Sequence, residues 1–281
     1  PSRGLGDVYK RQGIAHPDVP KPFSSIGQID GSFGALKNIS NLEIDGEKIS
    51  WAYGGSAGYK EFQYNNEEDR NLTPDEINAK WAEDKLNEFA SSDNEQPFFL
   101  AVGFLRPHTP LIAPQKYFDM YPIEDIQLAN ILENDKDDTF RNYDLNYKNL
   151  LIETEKKGSS PTHQQLTRRW IEMFENLEKS YDDPEEGLKR FTQAYLACVS
   201  AVDDNIGQVM NAIDNSRLKD NTIIILVSDH GWTMGEKDHV YKNSLWEEST
   251  RIPMTIRAPG VTKFKSKAVS YTHLTLPTTY H

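Results

Sequence analysis

Apolar and polar residues alternate along this chain with two different periods. In "TPDEINAKWAEDKLNEFA", Ile77, Trp81, Leu86 and Phe89 recur at helical spacing. Thr73 is a hydroxyl N-cap, Pro74 fits the first turn, and Glu76 completes a capping box. The run "FFLAVGF" at 98–104 has no polar position and predicts a strand buried on both faces. "LRPHTPLIAPQKYFDMYP" at 105–122 carries four prolines and predicts an ordered loop leaving that strand. Residues 123–186 are polar and charged, as in an insertion of helices and loops. A long helix follows from Pro184 to Asn215, with Tyr195, Val199, Val202, Ile206, Val209 and Ile213 as its buried face. "TIIILV" at 222–227 then predicts a buried strand running into Ser228, Asp229, His230 and Gly231. "PMTIRAPG" is a second short strand, ending at Pro259 and Gly260. Helix, strand, loop and strand in that order predict an α/β fold, a mostly parallel central sheet flanked by helices. Upstream, 17–71 is rich in Gly, Ser, Asn and Tyr and reads as loops with short strands.

Composition narrows the partners. The 281 residues are 37% hydrophobic and 26% charged, a globular balance sufficient for one large domain or two small ones. A formal charge of −12 opposes nucleic acid, which needs a basic surface, but leaves room for a local cationic pocket. No apolar run approaches the length of a membrane span. The one cysteine, Cys198, cannot close a disulfide within the chain, and "CVSAV" marks it as a core residue. "NDKDDTFRNYDLNY" looks like a calcium loop, but it lacks the turn glycine and the closing glutamate of an EF-hand.

The candidate chemistry lies at two strand ends, where open α/β sheets bind ligands. One end provides Arg106 and His108. The other provides Asp229 and His230, then Lys237, Asp238, His239 and Lys242. Asp229 and His230 can reach a single cation; as a bland alternative, Asp229 caps the next turn and His230 packs against it. Cationic side chains gathered in the next loop weigh towards chemistry. Glu247, Glu248 and Arg251 read as a buried or half-buried ion-pair network, Trp232 and Trp246 as packing, and Asp238 and His239 as surface residues.

"PFFLAVGFLRPHTPLIAPQKYFDMYP" and "TIIILVSDHGWTMGEKDHVYKNSLWEESTRIPMTIRAPG" resemble the two central signatures of type I sulfatases, especially the branch similar to iduronate-2-sulfatase. "FTQAYLACVSAVDDNIGQVMNAID" and "GIAHP" add to the resemblance. It implies a sulfuric ester hydrolase of the alkaline phosphatase superfamily, with a sulfated carbohydrate as the expected substrate. It implies that Asp229 and His230 are metal ligands for calcium, with magnesium as the alternative ion. His230 stands where many relatives carry Asn, and Lys237 where many carry His. Lys242 corresponds to the lysine that pairs with the sulfate. His108 corresponds to the histidine that contacts sulfate or protonates the leaving group, and His16 to a histidine near the nucleophile. Arg106 is read two ways, as a substrate contact or as a structural ion pair.

Both ends of the chain look foreign to the middle: 1–12 and 271–281 resemble translated linker DNA, leaving 13–270 as part of a catalytic domain. Pro1, Ser2 and Arg3 match the tail of the family's nucleophile motif, Cys-x-Pro-Ser-Arg. The nine residues between Arg3 and Gly13 cannot hold the helix and strand that should follow that motif, so the match is accidental. The expected nucleophile is a formylglycine, made by a maturation enzyme from a cysteine upstream of this chain. This stretch alone is expected to be inactive, and the full-length protein periplasmic or secreted. Two rival readings are a phosphodiesterase or phosphonate hydrolase of the same superfamily and a non-catalytic binder of sulfated glycans.

Overall fold

In a computed structural model, the structure describes residues 67–68, 70–93, 96–109, 111–135, 137, 174–179, 181–242 and 244–261. It also describes the backbone of three short strands, β1 (Gly34–Ala35), β2 (Leu42–Ile44) and β3 (Glu47–Ile49). Helix α1 (Pro74–Ser91) begins where the capping box predicts. Glu76 N–H donates to Thr73 Oγ1 at 3.4 Å, and Thr73 N–H donates to Glu76 Oε2 at 2.6 Å. Arg70 then braces Glu76, donating to its two oxygens at 2.7 and 2.6 Å.

The loop at 105–122 is more structured than its prolines suggest. It contains β4 (Ile112–Ala113), which pairs in parallel with β1, and a single-turn helix α2 (Gln115–Phe118). Leu111, Ile112 and Ala113 are each 1% exposed, so the loop is anchored through the core. A 3-10 turn at Ile123–Asp125 and a short helix α3 (174–179) lead to the long helix α4 (Pro184–Asp214). Strand β5 (Ile224–Val227) follows, then a hairpin of β6 (Thr233–Met234) and β7 (Val240–Tyr241). A one-turn helix α5 (Glu247–Thr250) precedes β8 (Met254–Arg257).

Helix α4 is the spine. Its buried positions are Gly187, Leu188, Phe191, Ala194, Ala197, Cys198, Ala201, Asn205, Ala212 and Ile213. The expected stripe of larger residues is therefore rotated. Ile213 is buried, whereas Val199 is 37% exposed and Tyr195, Val202, Ile206 and Val209 are half-buried. Small side chains face inward because neighbours approach closely. A Cβ on Gly187 would stand 2.5 Å from the Leu177 carbonyl oxygen of α3. In α1 likewise, Asp75, Asn78, Ala79, Ala82 and Leu86 are buried, while Ile77, Trp81 and Phe89 are only half-buried.

Among the described residues two apolar clusters result. The larger gathers Leu111, Tyr117 and Phe118 from the loop, Phe174 and Leu177 from α3, Leu188, Phe191 and Cys198 from α4, and Val240 and Tyr241 from β7. Cys198 is fully buried, as expected, and burial pushes its thiol up to about 12. The smaller cluster joins Leu86 of α1 to Ala212, Ile213 and Leu218, with Phe98, Leu100 and Ile224 against it. Arg217 ties these helices together, donating to the Ala90 carbonyl at 2.7 Å, to the Phe89 carbonyl at 3.1 Å and to the Ser92 carbonyl. It thereby supplies the cation that the last turn of α1 lacks.

Two strand expectations are revised. Residues 98–104 form no hydrogen-bonded strand among the described residues, and Phe99 is 72% exposed. The run is instead sided by packing, with Phe98 stacked on Phe89 at 4.6 Å. Strand β5 starts at Ile224, two residues later than expected, and pairs antiparallel with β8. The hairpin and α5 between them return the chain alongside itself, so the parallel arrangement is seen in the β1–β4 pair.

Candidate active site

Asp229 and His230 stand immediately beyond the carboxyl end of β5. The turn is set by Gly231, whose N–H donates to the Ser249 carbonyl at 2.7 Å while Trp232 N–H donates to the Glu248 carbonyl at 2.6 Å. A Cβ on Gly231 would lie 2.0 Å from that Glu248 carbonyl oxygen and 2.6 Å from the Arg251 carbonyl oxygen. Only glycine allows β5 to be held this closely by α5. The expected buried network of Glu247, Glu248 and Arg251 does not form. Arg251 and Glu247 are 3.7 Å apart with side chains 79% and 76% exposed, so backbone carbonyls fix the turn.

The two imidazoles are prepared alike. His108 Nδ1 lies 2.6 Å from the Thr109 carbonyl oxygen, and His230 Nδ1 lies 2.7 Å from the Gly231 carbonyl oxygen. A carbonyl oxygen can only accept, so each Nδ1 is the donor and Nε2 is the nitrogen left for another partner. Both rings pack on the indole of Trp232, with centroids 6.4 Å away for His108 and 6.3 Å for His230. Trp232 in turn meets Tyr195 and Tyr241 at 5.5 and 5.2 Å. This tryptophan joins the core to both imidazoles, which agrees with its reading as packing.

His108 is half-buried, and burial pulls its imidazole below the ordinary histidine value. The Thr109 carbonyl opposes this, while electrostatic interaction with Lys242 adds to the lowering. Residues from two distant stretches thus meet at one indole. Arg106 donates from Nε to the Ile112 carbonyl at 2.8 Å and so closes the loop on itself.

The loop after β6 separates its two lysines. Lys237 sits in a left-handed backbone conformation (φ 59°), and its Nζ lies 2.8 Å from Asp135 Oδ1 and 2.6 Å from the Asp135 carbonyl oxygen. It also covers the Trp246 ring at 4.9 Å. Its partner Asp135, whose carboxyl is lowered by the hydrogen bond from Lys237, comes from the polar insertion and had no sequence signal. Lys242 follows Tyr241, itself at φ 78°, and is half-buried. His239 is not a surface residue: it is 5% exposed, with Nδ1 3.0 Å from Thr233 Oγ1. His16 lies outside the described residues.

For a cation, the described residues contribute two donors. His230 Nε2 lies 3.6 Å from Asp229 Oδ1, and the Asp229 side chain is 82% exposed. An imidazole whose Nδ1–H is engaged by a backbone carbonyl and whose Nε2 stands beside a carboxylate suits a metal ligand. Two donors fall short of the six to eight that calcium takes. Among the described residues no group of three or more His, Cys, Asp or Glu is placed to hold an ion. None of the described helices is long and apolar enough to cross a membrane.

The profile of the sulfatase family matches residues 29–280. A sulfatase of Formosa agariphila is 31% identical over 93% of this chain and 48% of its own length. Mouse iduronate 2-sulfatase is 34% identical over 59% of this chain and 27% of its own length. The choline-sulfatase of Rhizobium meliloti is 28% identical over 77% of this chain and 38% of its own length. The chain spans about half or less of the length of these relatives. With the family profile running through both strand-end segments, the chain belongs to the type I sulfatases of the alkaline phosphatase superfamily.

Proposed function

We propose that these residues form one wall of the active site of a sulfuric ester hydrolase acting on a sulfated carbohydrate. The observation that carries the reading is the packing of His108 and His230, from two distant loops, on the one indole of Trp232. Cleaving a sulfate ester builds negative charge on the non-bridging oxygens and on the leaving oxygen. Preorganised cations stabilise that charge without reorganising during the reaction. Lys242 pairs with the sulfate. His108, protonated at Nε2, donates to the leaving alcohol. Its lowered affinity for protons makes it a ready donor, and an anionic substrate beside it would restore protonation on binding. Asp229 and His230 hold a divalent cation, with calcium favoured by the carboxylate and completed by donors outside the described residues. Once bound, that ion supplies further positive charge at the sulfate. The nucleophile, a formylglycine, is supplied from outside this chain, as is the maturation enzyme that makes it. Similarity to an iduronate 2-sulfatase supports a sugar sulfate, whereas similarity to a choline-sulfatase keeps a smaller sulfate ester as the alternative substrate.

The test uses the complete coding sequence, expressed with a maturation enzyme. Hydrolysis of para-nitrophenyl sulfate and release of sulfate from sulfated oligosaccharides are expected, dependent on an upstream cysteine and on calcium. Turnover of phosphodiesters or phosphonates alone would move the protein to the hydrolase rival. Glycan binding without turnover would make it a binder.

A further inference from the structure

The turn that carries Arg106 and His108 hangs from a side chain in another element. Asp75, in the first turn of α1, is 4% exposed. One of its carboxylate oxygens accepts the Leu105 N–H at 2.8 Å, and the other accepts the Arg106 N–H at 2.9 Å. His108 N–H donates in turn to the Leu105 carbonyl at 2.9 Å, so the histidine's backbone is fastened to the residue that Asp75 holds. One helical turn further along, buried Asn78 donates to the Gly103 carbonyl at 3.3 Å. An acidic residue at a helix start ordinarily faces its own helix's free N–H groups or solvent. This one is buried and commits both oxygens to a distant segment.

We propose that Asp75 is a positioning residue for His108, fixing through the Leu105 and Arg106 amides where the imidazole stands against Trp232. Two parallel N–H donors require two acceptor atoms. Asparagine offers one oxygen and sets an NH2 against the other donor, so the turn must shift. The consequence for turnover rests on the sulfatase reading; the consequence for geometry does not.

Two measurements separate them. In the chain as it stands, the indole N–H resonance of Trp232, assigned with Trp232→Phe, reports the histidine ring packed against it. Asp75→Asn moves that resonance. Thr73→Ala, which weakens the same helix start without touching 105–108, leaves it in place. In the complete protein, Asp75→Asn lowers kcat on the order of 10- to 100-fold with KM within about threefold, as misplacement of a catalytic group does. Asp75→Glu, which keeps both acceptors, falls between. A folded Asp75→Asn protein with an unmoved resonance, or with a kcat no lower than that of Thr73→Ala, overturns the proposal. Should Asp75→Asn fail to fold, Asp75→Glu decides by the same two readouts. An inactive wild-type complete protein would overturn the sulfatase reading, while the Trp232 resonance would still decide the role of Asp75.

Discussion

Each imidazole in the cleft gives its Nδ1–H to a backbone carbonyl, and burial leaves His108 with a lowered affinity for protons. Folding therefore excludes a proton that the unfolded chain binds at about pH 6.5. His108 stabilises the fold above that pH, and this contribution is lost as pH falls through the lowered folded value. Urea midpoints measured from about pH 7.5 down to about pH 5 should decline, and His108→Asn should flatten part of that decline. An unchanged slope would assign it to other groups. The two lysines of the following loop should also part company. Lys237 is engaged by Asp135 and Trp246, so Lys237→Ala is expected to cost about 1 kcal/mol of stability. Lys242→Ala is expected to leave stability nearly unchanged but to lower kcat of the complete protein on the order of 100- to 1,000-fold. Equal turnover for Lys242→Ala and wild type would remove Lys242 from the mechanism.

At the scale of elements, the start of α1, the long helix and the end of β5 were legible because each is written in local sequence: a capping box, a sustained period, an apolar run closed by Asp229, His230 and Gly231. What faces what was not. In α4 the buried stripe follows Ala194, Ala197 and Ala201 rather than the larger residues Val199, Val202 and Ile206, because close approach of neighbours selects for small volume. The roles of Asp75 and Asp135 were illegible for the same reason, since each is defined by a partner far away in sequence. Gly231 shows the limit well. Its sequence context reads as a simple turn, yet its lack of a side chain is dictated by the carbonyls of Glu248 and Arg251, in and just after α5. Gly231→Ala should therefore force α5 away from the end of β5. The expected cost is about 3 kcal/mol or more by chemical denaturation, comparable to severe overpacking. A loss under about 1 kcal/mol would mean that α5 yields easily and does not set the turn.

At the scale of the molecule, an exposed apolar surface among the described residues lies on the strand that leads into the candidate site. Ile223, Ile225, Leu226 and Val227 are 65%, 59%, 42% and 54% exposed, and Ile256 on the paired strand is 39% exposed. Successive residues of a strand point to opposite faces, so both faces of β5 meet solvent. Such an apolar, two-stranded sheet is marginal on its own and invites association. The sulfatases of Formosa agariphila, mouse and Rhizobium meliloti are about twice as long as the part this chain matches, or longer. The nucleophile and remaining cation donors in the proposed mechanism also lie outside the described residues. Covering this sheet and completing the chemistry are thus expected together. The chain as it stands should bind the dye ANS strongly, self-associate as concentration rises, and hydrolyse no para-nitrophenyl sulfate. The product of the complete coding sequence should lose the dye signal and gain calcium-dependent turnover. Sulfatase activity in the shorter chain that survives Cys198→Ala would overturn this division, because it would require a nucleophile among residues that the proposed mechanism uses otherwise or not at all.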